Sequence, residues 1–151
     1  MKSGDAVTSL ILETFRLNGR LLAAGDALIT GLGLTSARWQ VLGAVAAAPV
    51  PLSVAQIARA MGLTRQAVQR LANDMESDGL LRFAVNPNHR RAKLVVMTPS
   101  GQSVYAAAMK RQAPWAQALA HGFNAQQIAA AAVILKTLRL RLERDEPNQG
   151  E

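Results

Sequence analysis

The sequence of 151 residues contains no cysteine. Disulfide bonds, thiolate metal ligands and thiol-based redox sensing are therefore excluded. Histidine is also scarce, and the two histidines, His89 and His121, fall in separate predicted elements that are too far apart to act together. An enzyme would need a nucleophile, an acid–base pair or a metal cluster. We therefore predict a protein that is not an enzyme and that has no cofactor and no metal site.

A long apolar run is missing as well. A helix that spans a bilayer needs about 18 to 20 apolar residues, and the longest apolar stretch, around Val41–Val50, is interrupted by Pro49. The amino-terminal stretch does not fit a secretory signal, because Asp5, Glu13 and Arg16 break its apolar character. We expect a cytoplasmic protein that does not bind membranes.

Apolar side chains and positive charge are both abundant. Half of the residues are apolar, which is enough to form a core. The formal net charge is +7, which favours a polyanionic partner. Residues 53–98 hold seven basic and three acidic side chains, so part of this charge is concentrated there. Charge alone would fit RNA or a membrane surface equally well, and the partner has to be inferred from motifs.

Residues 53–78 have the pattern of a helix-turn-helix. Ser53 and Gln56 form a capping box at the start of a short helix. Gly62 follows at the point where a tight turn between two helices needs a positive φ. Thr64 is a good N-cap for the second helix. The sequence therefore predicts a recognition helix over residues 64–78.

The predicted recognition helix has two different faces. Its apolar residues follow the 3.6-residue period and are expected to face inward: Val68, Leu71, Ala72 and Met75. The opposite face carries side chains whose donors and acceptors match base edges and phosphates in a major groove. These candidate DNA-binding residues are Thr64, Arg65, Gln66, Gln69, Arg70 and Asn73. Arg70 lies one turn before Asp74, and we expect the two to form an ion pair.

Residues 80–97 have the pattern of a β-hairpin, or wing. Residues 80–85 alternate in polarity as a strand does, and residues 93–97 read as its partner. The loop between them is basic and rich in turn formers, which suits insertion into a narrow minor groove. The wing candidates are His89, Arg90, Arg91 and Lys93. The alternative is a solvated hairpin with ordinary surface arginines.

The helices on either side of residues 35–98 carry narrow apolar seams. We predict an amino-terminal dimerisation helix in residues 1–34, carboxy-terminal dimerisation helices in 99–145 with a break or kink near Pro114, and a disordered tail in 146–151. The alternative is that the seams pack within one subunit. The candidate interface residues are Leu10, Leu17, Ile128, Leu135, Leu138 and Leu142.

The order of these parts resembles the MarR family of bacterial transcription regulators over nearly the whole chain. The most specific stretch is residues 52–101, LSVAQIARAMGLTRQAVQRLANDMESDGLLRFAVNPNHRRAKLVVMTPSG. The resemblance implies a mainly α fold with a small β-hairpin wing, that is, a winged helix-turn-helix with long terminal dimerisation helices. It also implies a homodimer on a pseudo-palindrome, with Arg91 as the wing arginine. The sequence departs from the family at His89, where many members carry an aspartate that orients this arginine.

The resemblance further implies release from DNA by a small, often aromatic ligand bound between the dimer helices and the DNA-binding domain. Five side chains lie on helices that would border such a pocket, and an arginine there could hold a carboxylate. These candidates are Arg16, Arg38, Trp39, Tyr105 and Met109. The alternative is that Trp39 is core packing and that the arginines are solvated. The missing cysteine excludes the peroxide-sensing mechanism of part of the family.

We therefore predict a homodimeric repressor that binds double-stranded DNA. Two alternatives remain open at this point. An architectural DNA-binding protein without an effector would use the same basic residues for nonspecific affinity. A winged helix that contacts a protein instead would need an apolar recognition face, whereas Arg65, Gln66 and Gln69 are polar or basic.

Overall fold

The computed structural model describes residues 1–145, and the tail predicted for residues 146–151 lies outside the described residues. The described chain is mostly helical, with one small antiparallel sheet. Its elements are α1 (Ser3–Leu28), α2 (Ser36–Ala47), β1 (Leu52–Ser53), α3 (Val54–Met61), α4 (Arg65–Ser77), β2 (Leu81–Ala84), β3 (Leu94–Met97), α5 (Pro99–Leu119) and α6 (Ala125–Asp145). The predicted winged helix-turn-helix class is confirmed.

The chain forms two compact units, Met1–Gln112 and Ala113–Glu151. The boundary lies within α5, one residue before Pro114. The sequence predicted a break or kink near this proline. The helix is instead assigned without interruption from Pro99 to Leu119, so no break occurs there.

The core of the first unit is formed where α2, α3 and α4 meet the sheet. Val41 and Leu42 of α2, Ile57 of α3 and Val68 of α4 are fully buried there, and Val95 of β3 joins them. Burying each such side chain stabilises the fold by about 1.5–3 kcal/mol relative to leaving it exposed. The inner face of α4 is therefore part of the core.

The sheet has the strand order β1-β3-β2, and both pairings are antiparallel. The predicted hairpin is present, with Leu81 opposite Met97 and Ala84 opposite Leu94. The third strand, β1, was not predicted. It pairs Leu52 with Val95 and has only two residues, which is too short to show the alternation that marks a strand in a sequence.

Polar contacts fix the end of α1 against the start of α2. The Asp26 carboxylate accepts a hydrogen bond from the Ser36 amide at 2.7 Å, and the Ser36 hydroxyl donates to the Leu22 carbonyl at 2.7 Å. The Arg111 guanidinium of α5 donates to two carbonyls at and just after the end of α1, Leu28 at 3.1 Å and Thr30 at 2.8 Å. The Ser36 amide and the Leu28 carbonyl are groups that helix ends leave without intrahelical partners, and two of these bonds satisfy them.

The outer faces of α1 and α6 are apolar and exposed within the protomer. Phe15 on α1 has 72% of its surface exposed, and Leu142 on α6 has 69%. No residue of α6 within Ala125–Asp145 is buried. Neither of these helices, nor any other in the part of the chain that the structure describes, is long and apolar enough to cross a membrane.

Candidate nucleic-acid interface

The start of the recognition helix is set by local turn chemistry. The Ser53 hydroxyl accepts the Gln56 amide and the Gln56 side chain accepts the Ser53 amide, which confirms the predicted capping box of α3. Gly62 ends α3 with φ +67°, in the left-handed region that the predicted turn requires. The Thr64 hydroxyl then accepts the Ala67 amide at 3.1 Å and caps α4 as predicted.

The two faces of α4 are as different as the sequence suggested. Val68, Ala72 and Met75 are fully buried in the core, while Leu71 is half-buried. The side chains predicted to bind DNA all lie on the exposed side of α4 or at its cap: Thr64, Arg65, Gln66, Gln69, Arg70 and Asn73. The helix thus presents one continuous polar surface to solvent.

Two of these polar side chains hold each other in place. The Gln69 amide nitrogen donates to the Asn73 side-chain oxygen at 2.9 Å, one helical turn away. A side chain held by a neighbour loses less rotational freedom when it binds a partner. The pair can still rearrange on contact, because each amide has further donors and acceptors.

The predicted ion pair between Arg70 and Asp74 is not formed. Within residues 1–145 the ion pairs are Glu13–Arg16, Arg38–Asp78 and Arg139–Glu143. An exposed pair at this spacing contributes only about 0.3–0.5 kcal/mol, too little to fix a flexible arginine. The C-cap residue of this helix, Asp78, does form an ion pair, and its partner Arg38 comes from α2.

The tip of the wing is a turn held by side chains. The Asn86 side-chain oxygen accepts the Asn88 amide at 3.0 Å, and the Asn86 carbonyl accepts the His89 amide at 3.2 Å. The His89 Nδ1 atom accepts the Ala92 amide at 3.2 Å. His89 therefore holds the stretch that contains Arg90 and Arg91. These two arginines, His89 and Lys93 are all exposed.

The far end of α4 is held from two sides. The Arg38 Nη1 atom donates to the Asp78 carboxylate at 2.7 Å. Just beyond, the Thr98 hydroxyl donates to the Gly79 carbonyl at 2.6 Å, and the Thr98 amide donates to the Leu80 carbonyl at 3.1 Å. The end of the recognition helix is therefore attached both to α2 and to the start of α5.

The five candidate ligand-binding residues lie on three helices, α1, α2 and α5. Arg16 is exposed and paired with Glu13, while the Arg38 guanidinium is occupied by Asp78 and by the Gly33 carbonyl at 3.3 Å. Trp39 is half-buried. Of the remaining two candidates, Tyr105 packs against the core and Met109 is exposed.

An open groove does exist elsewhere in the first unit, between the ends of α2 and α3 and the start of the sheet. Small and apolar side chains dominate it. Its lining residues are Gln40, Ala44, Ala47, Ala48, Leu52, Ala60 and Met61. None of the five candidates belongs to this lining.

Four of the six candidate dimer residues are exposed on the terminal helices, and two are half-buried. Leu17, Ile128, Leu135 and Leu142 are exposed, whereas Leu10 and Leu138 are half-buried. The seam predicted from heptad spacing also missed strongly exposed apolar residues beside it. These are Ile11, Leu12 and Phe15 on α1 and Val133 and Ile134 on α6.

Comparison with known proteins agrees with this fold. A family model for the MarR family matches residues 32–92. The uncharacterized protein Rv2011c of Mycobacterium tuberculosis is 34% identical over 143 residues, which cover 95% of this chain and 99% of that protein. The transcriptional activatory protein BadR of Rhodopseudomonas palustris is 33% identical over 103 residues, which cover 67% of this chain and 59% of BadR.

Solved structures share the fold. The transcriptional regulator PA3341 is 27% identical with a TM-score of 0.75, and the match covers 91% of this chain and 98% of that one. A mutant MarR from E. coli complexed with operator DNA is 18% identical with a TM-score of 0.73, and the match covers 91% and 99% of the two chains. This chain belongs to the MarR family of transcription regulators, as its sequence predicted.

Proposed function

We propose that this protein is a sequence-specific regulator that binds double-stranded DNA and represses transcription as a homodimer on a pseudo-palindromic operator. The observation that carries the proposal is the two-sided helix α4, buried on one face and polar on the other. Arginine, glutamine and asparagine can form paired hydrogen bonds with the edges of guanine and adenine in the major groove. The shared fold of the E. coli protein solved with operator DNA supports duplex DNA as the partner.

In this proposal α4 and the wing contact different grooves of the DNA. Residues from Thr64 to Asn73 read each half-site in the major groove, and half-sites lie about 10 base pairs apart, one turn of the duplex. Arg90 and Arg91 enter the flanking minor groove, where a narrow A·T-rich stretch concentrates negative potential. His89 holds their loop, and Lys93 adds a phosphate contact.

Dimerisation is supported by the exposed apolar faces of α1 and α6. A monomeric protein rarely leaves large contiguous apolar surface in water. On α6 the exposed residues Ile128, Leu135 and Leu142 recur at seven-residue intervals, the spacing of a helix that packs against another helix. We infer that a second copy of the chain covers these faces.

Selection from a random duplex library, followed by sequencing and by binding measurements across salt concentration, tests the proposal. The expected result is an enriched pseudo-palindrome whose half-sites lie one turn apart. Salt-sensitive binding without an enriched sequence would instead indicate an architectural protein. No binding to any duplex would remove the proposal and favour a protein-contact role for α4.

Two matched variants test whether α4 makes the contact. Arg70→Ala should weaken operator binding and lower the slope of log affinity against log salt by about one for a lost phosphate contact. Arg20→Ala removes the same charge from the exposed side of α1 and should leave the slope unchanged. If both variants bind like the unaltered protein, Arg70 does not touch DNA.

A second pair of variants tests the dimer. Leu142 is mostly exposed in the protomer, so Leu142→Asp should leave the buried core of Met1–Gln112 intact. It should nevertheless shift the protein toward monomers in sedimentation or light scattering, because it places a charge in an apolar interface. Gln126→Asp, at an exposed polar position of the same helix, is the control. An unchanged dimer with Leu142→Asp would place the interface elsewhere.

Two finer parts of the proposal, repression and ligand release, have tests of their own. We infer repression because it is typical of the family, although the relative BadR is named as an activator. Expression of a reporter gene with and without the protein shows whether it represses or activates transcription. Release by a small aromatic ligand stays a prediction from the resemblance. Of its five candidates, Arg16 and Arg38 are paired with carboxylates, and Trp39, Tyr105 and Met109 lie on α2 and α5. Displacement of bound operator by simple aromatic acids tests the predicted ligand release.

A further inference from the structure

Arg38 was a candidate for holding a ligand, but its guanidinium is engaged with protein groups. The Nη1 atom donates to the Asp78 carboxylate at 2.7 Å and to the Gly33 carbonyl at 3.3 Å. The Arg38 side chain is 21% exposed and the Asp78 side chain is 55% exposed, so the contact is shielded from water on the Arg38 side only. The two residues are 40 positions apart in sequence and join α2 to the C-cap of α4.

This ion pair is the last link in a chain of polar contacts that begins on α1. Asp26 near the end of α1 accepts the Ser36 amide at the start of α2, and the Ser36 hydroxyl donates back to Leu22 of α1. Two residues after Ser36, Arg38 reaches across to Asp78. The exposed apolar helix α1 and the end of the recognition helix are therefore connected through the first turn of α2.

This contact lies at one end of α4, where it can affect the tilt of the helix. The core holds the inner face of the helix through Val68, Ala72 and Met75, but apolar packing is non-directional and permits small tilts. An α-helix of this length is about 20 Å long. A tilt of about 10° at one end therefore displaces the other end by about 3 Å, close to the rise of one base pair.

We propose that Arg38 is a positioning residue that, through Asp78, sets the tilt of the recognition helix and so the half-site spacing that the dimer accepts. This inference rests on the proposed DNA-binding function. It assigns Arg38 no contact with DNA and none with a ligand. It also gives Asp78, an acidic residue that by itself would repel DNA, a role in the specificity for half-site spacing.

The test compares duplexes that carry the selected half-sites at the selected spacing and at one base pair more or less. The unaltered protein should prefer its selected spacing by about tenfold or more, as expected when a misplaced helix loses base contacts. Arg38→Met keeps the aliphatic stem and removes the donors, and Asp78→Asn keeps the shape and removes the charge. Each should reduce the preference to about threefold or less.

The double variant and a control separate coupling from general damage. Arg38→Met combined with Asp78→Asn should relax the spacing preference no further than either change alone, because both remove one interaction. Arg16→Met breaks another arginine–carboxylate pair, on α1, and should leave the preference intact. The ratio of affinities cancels any uniform effect of the altered charge on DNA binding.

The outcomes are distinguishable. Unchanged spacing preference in both single variants, or effects that add in the double variant, would overturn the inference. A salt slope lowered by about one in Arg38→Met would also overturn it, because Arg38 would then be a phosphate contact. If the unaltered protein binds no duplex, the proposed function is wrong, and this inference, which depends on it, is wrong as well.

Discussion

The contact between α5 and the hairpin leads to a sharp prediction at Gly101. This residue is buried in the first turn of α5, and its amide donates to the Thr98 hydroxyl at 3.1 Å. A Cβ atom there would lie 2.1 Å from the Leu80 carbonyl oxygen and 2.8 Å from Met97 Cγ. The Leu80 carbonyl cannot retreat freely, because it accepts the Thr98 amide. Gly101→Ala therefore forces backbone to move.

The expected cost follows from two opposing effects. Alanine in place of glycine stabilises a helix by about 0.5–1 kcal/mol, whereas overpacking costs about 1–3 kcal/mol and occasionally more. Because the clash at Gly101 is with a bonded backbone carbonyl, the overpacking cost should exceed the helix gain, and we expect a net loss of stability of about 1–2 kcal/mol. For a chain of this size each kcal/mol lowers the melting temperature by about 2–4 °C.

The assay is urea unfolding followed by circular dichroism, at one protein concentration because dimerisation would also affect stability. Gly4→Ala is the matched control, since a Cβ at Gly4 meets nothing within 4 Å. It should be neutral or slightly stabilising. If Gly101→Ala unfolds at the same urea concentration as Gly4→Ala, the close approach between α5 and the Leu80 carbonyl is wrong.

Three further changes test single contacts. Thr64→Ala should lower stability by about 1 kcal/mol through loss of the helix cap, and Thr64→Ser should not; equal unfolding midpoints would mean that the cap contributes nothing. His89→Asp, which keeps an acceptor for the Ala92 amide, should retain operator affinity better than His89→Ala in a binding titration, and the reverse order would contradict the role given to His89. Arg111→Met should lower the unfolding midpoint more than Lys110→Met, because only Arg111 bonds the carbonyls after α1; equal midpoints would show that these exposed bonds add no stability.

The helix-turn-helix was predictable because its signals are local. A capping box joins Ser53 and Gln56, three residues apart, and the turn at Gly62 depends on one backbone angle. The inner face of α4 follows from the helical period alone. The family resemblance then extended these local signals to the whole fold, which the structure confirms.

The side-chain pairings were harder to predict because they depend on the tertiary structure. Arg70 and Asp74 have the right spacing for an ion pair, yet the pair is absent from residues 1–145, since a solvated arginine gains little from it. Asp78 binds Arg38 instead, which no periodicity could indicate across 40 residues. The strand β1 was missed for a related reason, because its two residues are strand only through pairing with β3.

The terminal helices leave apolar side chains exposed in a single protomer. Heptad spacing identified Leu135 and Leu142 on α6, but exposed Val133 and Ile134 widen the apolar surface beyond a two-residue seam. An amphipathic helix gains most of its stability from tertiary packing, and α6 buries no residue between Ala125 and Asp145. Under the proposed dimer this missing packing comes from the second copy. The helicity of α6, the fraction of dimer and the occupancy of a two-part operator should then all rise together with protein concentration.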